Sequence, residues 1–66
     1  MMREKIVGAL RAKYVGQMQE ALVNIEIYLT SPTGIGEHSE ILEAIDSQIS
    51  KYAEAYEKNQ ALKEFL

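Results

Sequence analysis

One segment, Thr30-Ser31-Pro32-Thr33-Gly34-Ile35-Gly36, holds the only proline of the chain and its only cluster of turn formers. The residue before a proline avoids the α region, so a helix is expected to end near Leu29 or Thr30. Upstream, Ile6, Val7, Leu10, Tyr14, Met18, Ala21, Leu22, Ile25, Tyr28 and Leu29 recur in three- and four-residue steps, the spacing of one helix face. Ile41, Leu42, Ile45, Ile49, Tyr52, Tyr56, Leu62 and Leu66 repeat that pattern downstream. The reading is one all-α domain over 1–66: a helix over about 3–29, a loop over about 30–36 and a helix over about 37–64. Matched helices of roughly 40 Å, joined by a short connection, predict an antiparallel hairpin. Glycine costs a helix about 1 kcal/mol relative to alanine. Gly8 and Gly16 therefore weaken the first helix, and a break near Gly16, giving three helices, is the alternative architecture.

A hairpin of 66 residues is small for an independent core. Chains of this size usually rely on disulfides, a metal or a partner chain. There is no cysteine and only one histidine, which excludes disulfides, thiolate metal sites, cysteine nucleophiles and a His-rich metal site within one chain. Self-association is the remaining support. Ile6, Leu22 and Leu29 lie beside the expected seam of Val7, Tyr14, Met18, Ala21, Ile25 and Tyr28, so each helix carries more apolar face than one partner helix covers. Two hairpins forming a four-helix bundle complete it. In that bundle Leu10, Tyr14, Met18, Ile25, Ile45, Ile49, Tyr52 and Tyr56 are expected to be buried.

The net charge of −3 hides a segregation. No lysine or arginine lies between Lys13 and Lys51, a stretch that holds Glu20, Glu26, Glu37, Glu40, Glu43 and Asp46. Arg3, Lys5, Arg11, Lys13, Lys51, Lys58 and Lys63 all fall in the outer segments. Folding the chain about residue 33 brings Glu20 beside Asp46 and Glu26 beside Glu40, with Arg11 and Lys13 meeting Glu54 and Glu57 at the other end. Crowded acids at the loop pole and a basic far end predict a homodimer whose hairpins run in opposite senses.

The start, Met1-Met2-Arg3-Glu4-Lys5, runs into amphipathic sequence without an apolar core, so no signal peptide is expected. No window approaches the 18 or so apolar residues that span a membrane. A cytoplasmic setting is the expectation. An acidic chain is a poor match for phosphate backbones. Nucleic-acid binding is therefore the secondary reading, through Arg3, Lys5, Arg11 and Lys13 gathered across a dimer.

Candidate chemistry is sparse. His38 with Glu37 and Glu40 has the atoms of a metal site or a general base, but helical ligand pairs stand three or four apart, where His38 finds Ile41 and Leu42. A helix-start histidine packing on Tyr28 is the plainer reading. Glu37, Glu40 and Glu43, with Glu26 opposite, offer oxygens to a hard cation. They also suit the dipole at a helix start, with Gly36 as its N-cap. Gly34-Ile35-Gly36 lacks the lysine and strand of a phosphate loop and reads as a turn with Ile35 plugging the bundle end. Gly8, Ala12 and Gly16 form a small-residue ladder that suits close helix packing as well as it suits incidental surface positions. Tyr14, Tyr28, Tyr52 and Tyr56 follow core spacing better than that of a base-stacking platform. No serine or threonine is paired with a base, so the chain is read as non-enzymatic, with no cofactor.

The runs Arg3 to Ala12, Asn24 to Leu29 and Pro32 to Ile45 give the chain a resemblance to short uncharacterised helical proteins of marine tailed phages and ocean metagenomes. The resemblance spans nearly the whole chain, with Pro32 to Ile45 its distinctive stretch. It implies expression inside an infected bacterium and brings no established activity. In architecture alone the chain is similar to the plasmid RNA-binding hairpin dimers known as repressor-of-primer proteins, without a shared motif, and fold does not give function. The sequence thus predicts a self-associating protein-interaction module that binds a host or virion protein through Glu26, Glu37, Glu40, Glu43 and Asp46. A divalent-cation-binding bundle is a further alternative.

Overall fold

Two long amphipathic segments fold back on each other as an all-helical hairpin. The computed structural model describes residues 1–30 and 38–66, and of residues 38 and 39 the backbone alone. Helix α1 runs Met2–Thr30 and helix α2 runs His38–Phe65, each within a residue of the expected bounds. Gly16 interrupts nothing: α1 is continuous through it, which corrects the three-helix alternative. A single glycine costs about 1 kcal/mol, less than a seam of this length gains by staying helical. A Cβ built on Gly8 or Gly16 meets no atom within 4 Å, so neither glycine of the ladder faces α2. The expected turn, the Gly36 cap and the Ile35 plug lie outside the described residues.

Side-chain hydrogen bonds lie at both ends of the hairpin, one within α1 and one between the helices. The hydroxyl of Thr30 donates to the Glu26 carbonyl at 2.8 Å, supplying a donor to a carbonyl of the last turn. At the far end Arg3 Nη2 donates to the Leu66 carbonyl at 3.0 Å, joining the start of α1 to the end of α2. The molecule is a rod with Cα extents of 51 × 15 × 11 Å.

The contact between the helices is a seven-residue repeat. On α2 it uses Ile41, Ile45, Gln48, Tyr52, Ala55, Asn59 and Leu62, in alternating steps of four and three, and every one is buried or half-buried. Tyr14, Met18, Ala21, Ile25 and Tyr28 do the same on α1, with Val7 and Leu10 extending the seam. Such a repeat keeps one stripe of each helix facing its partner along the full length.

The register differs from the one expected. Tyr14 lies under Lys58, and Asn24 bonds Gln48: both pairs have numbers adding to 72, where a fold about residue 33 gives 66. Two causes account for most of the offset. The helix ends nearest the turn, Thr30 and His38, add to 68. Side chains also lean toward the N-terminus of their own helix, which shifts each contact by about one residue in both strands of the hairpin. As a result Glu20 shares a groove with Lys51 and Glu54 and is not set beside Asp46. The basic groups of α1 likewise do not meet Glu54, whose ion pair is with Lys58.

The seam sets small residues, Ala21 and Ala55, among large ones, Tyr14, Met18 and Tyr52. Ala21 and Ala55 are accordingly 1% and 2% exposed. Leu62 completes the buried apolar set, and Gln48 and Asn59 are buried with it. No large side chain is fully buried among the described residues. A two-helix seam has open flanks, so Leu10, Tyr14, Met18, Ile25, Ile45 and Tyr52 are only half-buried.

Candidate protein-interaction surface

The two flanks of the seam have different chemistry. One is polar: Gln17 and Glu20 of α1 and Gln48, Lys51 and Glu54 of α2 line an open groove of about 290 Å³, floored by Ala21 and Ala55. Asn24 Nδ2 donates to Gln48 Oε1 at 3.2 Å along the same side. Lys58 is held there twice, 2.9 Å from a Glu54 carboxylate oxygen and 6.0 Å from the centre of the Tyr14 ring. The lysine, one turn on from Glu54, keeps that carboxyl below its ordinary value, chiefly by hydrogen bonding and then by charge. Glu54 in return raises the Lys58 ammonium above its ordinary value for the same reasons. Both groups are solvent-exposed, so this pair orders a surface and does little for the fold.

The other flank is apolar. Val15, Leu22 and Leu29 each follow a seam position of α1 by one residue, and Leu42, Ile49 and Tyr56 follow seam positions of α2 in the same way. In an antiparallel pair these stripes flank the seam on one side, opposite the groove. Leu22 is 51% exposed and Ile49 is 52% exposed, while Leu29 and Leu42 lie open nearer the turn. The Tyr56 ring stacks on Tyr52 with centroids 6.4 Å apart and planes 14° from parallel, and still leaves half its surface to solvent. Ile49 and Tyr56, both expected to be buried in a bundle, thus stand on this open flank and not in the intrachain seam. Single exposed hydrophobes such as Val23 and Ile27 are ordinary. Five exposed ones in two matched rows, with the half-buried Val15 beside them, form a patch, the kind of feature that marks an interaction site.

Of the acidic pole, Glu26 and Asp46 stand on the border of the apolar flank, by their helical phase and by the register that sets them across from each other. Glu43 falls on the outer surface of α2 and Glu40 toward the polar side, so the helices do not gather all these acids into one cluster. Glu37 and the His38 side chain lie outside the described residues. No group of three or more His, Asp or Glu is placed to hold a metal among the described residues. Arg3 and Arg11 line a shallow depression at the free end with Glu4, Val7, Gly8 and Leu66, so the cations there share their surroundings with a carboxylate. No described helix is long and apolar enough to cross a membrane.

The polar members of the seam escape a hydropathy reading. Gln48 and Asn59 are polar, yet their spacing from Ile41, Ile45, Tyr52 and Leu62 is the signal that places them inside. The chain matches no family model, no curated protein and no solved structure.

Proposed function

We propose that this chain is a non-enzymatic helical module that self-associates and works by holding protein to protein. The observation that supports this reading is the open apolar flank of Val15, Leu22, Leu29, Leu42, Ile49 and Tyr56 on a hairpin that fully buries no large side chain among the described residues. The acids Glu26, Glu37, Glu40, Glu43 and Asp46, distributed around the turn end, are the groups offered to a basic host or virion protein in the bacterial cytoplasm. Sedimentation equilibrium tests the reading. A dimer or higher oligomer at micromolar concentration is expected for the natural chain, and a monomer for the double variant Leu22→Glu/Ile49→Glu with its helicity retained. A natural chain that stays monomeric at those concentrations overturns it.

A further inference from the structure

We infer that the apolar flank is covered by a second copy of this chain, turned end for end, with the two-fold axis passing between the Leu22 and Ile49 levels. The inference rests on the self-association proposed above and adds to it the orientation and the stagger.

Area argues for a partner of this size. The hairpin exposes 5147 Å², whereas a compact monomer of 7.5 kDa exposes roughly 4,250 Å² by the usual scaling. The excess of about 900 Å² comes with the elongated shape, and it is enough to supply the ~800 Å² that each partner contributes to a standard stable interface.

The spacing of the flank makes it self-complementary. Leu22 is the middle of a row with Val15 and Leu29 seven residues to either side, and Ile49 is the middle of a row with Leu42 and Tyr56. A two-fold axis at their level sets α1 against α1 of the second copy and α2 against its α2. Leu22 then meets Leu22, Ile49 meets Ile49, Val15 meets Leu29, and Leu42 meets Tyr56.

A side-by-side arrangement, with both turns at one end, also matches apolar to apolar: Leu22 with Ile49, Leu29 with Leu42 and Val15 with Tyr56. The bordering charges separate the two. Side by side, Glu26 of each copy faces Asp46 of the other, and four carboxylates collect at one level. End for end, Glu26 faces Gln19 and Asp46 faces Ala53, and the acids of the two copies lie about 9–12 Å apart along the axis, at or beyond the ~8–10 Å screening length. The inverted pairing buries the same apolar rows without the cluster of like charge.

Spin labels on Lys5→Cys, an exposed position remote from the flank, read the orientation directly. In the inverted dimer the labels lie about 50 Å apart, twice the rise from residue 22 to residue 5. Side by side they lie within roughly 25 Å, the diagonal of four packed helices plus the label arms. Mild oxidation of Leu22→Cys, and separately of Ile49→Cys, is expected to link each to its own copy. A short label distance with the chain still dimeric overturns the orientation and leaves self-association standing. Dimers in which neither cysteine links to itself overturn the placement of the axis. A monomeric natural chain at labelling concentrations overturns the inference together with the reading it rests on.

Discussion

Asn24 and Gln48 are joined across the seam by an amide hydrogen bond of 3.2 Å, and Gln48 is the more deeply buried of the two. A buried amide that loses its partner keeps the cost of its lost water, about 1–3 kcal/mol. Asn24→Ala is therefore expected to destabilise the hairpin by about that amount. Replacing both residues by leucine removes donor and acceptor together and is expected to be nearly neutral or stabilising. Urea denaturation of the two variants and the natural chain, run at one protein concentration, gives both values.

Ala55 is 2% exposed in the seam between the helices. Extra methylenes in a filled position force neighbours off their rotamers, at a cost of about 1–3 kcal/mol. Ala55→Leu should lower stability by that amount, and Ala9→Leu, exposed on the outer surface of α1, should not. Thermal melts of the two variants distinguish packing from helix propensity.

Asn59 carries a buried side-chain oxygen, Oδ1, with no hydrogen-bond partner. Leucine has a similar volume and needs none, so Asn59→Leu should stabilise by about 1–3 kcal/mol. For a domain of this length 1 kcal/mol raises Tm by roughly 4–8 °C. A Tm that falls would show that the amide has a partner in the assembled protein.

Gly16 lies inside α1 with open space where a Cβ would be. Gly16→Ala should stabilise by about 1 kcal/mol, read as a higher midpoint in urea. Destabilisation would mean that this outer surface is packed against another chain.

The Glu54–Lys58 pair gives a pH dependence of known sign. The carboxyl titrates lower in the folded chain, so its contribution is present above the unfolded value near 4.5 and is lost as pH falls through the folded one. The ammonium titrates higher, so its contribution is present below the unfolded value near 10.5 and is lost as pH rises through the folded one. Between those limits the pair adds a constant, small amount. Helicity by circular dichroism should show a shoulder at each limit that Lys58→Met removes, and 1 M salt should shrink both.

The hairpin was legible because its signals are local. Pro32 bounds the first helix, and Ile41, Ile45, Tyr52 and Leu62 announce the second by spacing alone. The separation of Leu22 and Leu29 from the seam was legible too, since they stand one residue off the repeat of Ala21 and Tyr28. Register was not. It depends on the turn conformation and on the lean of side chains such as Asn24 and Gln48, and neither leaves a periodic trace. The two flanks were hidden for a related reason: Gln17, Glu20, Lys51 and Glu54 form one side only after the register is known. An apolar count also passes over Gln48 and Asn59, which the seam encloses.

A molecule with extents of 51 × 15 × 11 Å diffuses more slowly than a sphere of equal mass. On a gel-filtration column calibrated with globular standards, a single hairpin elutes earlier than its mass predicts. Elution volume is thus a poor witness to the number of chains, and light scattering or sedimentation equilibrium, which weigh particles regardless of outline, is the measurement that counts them.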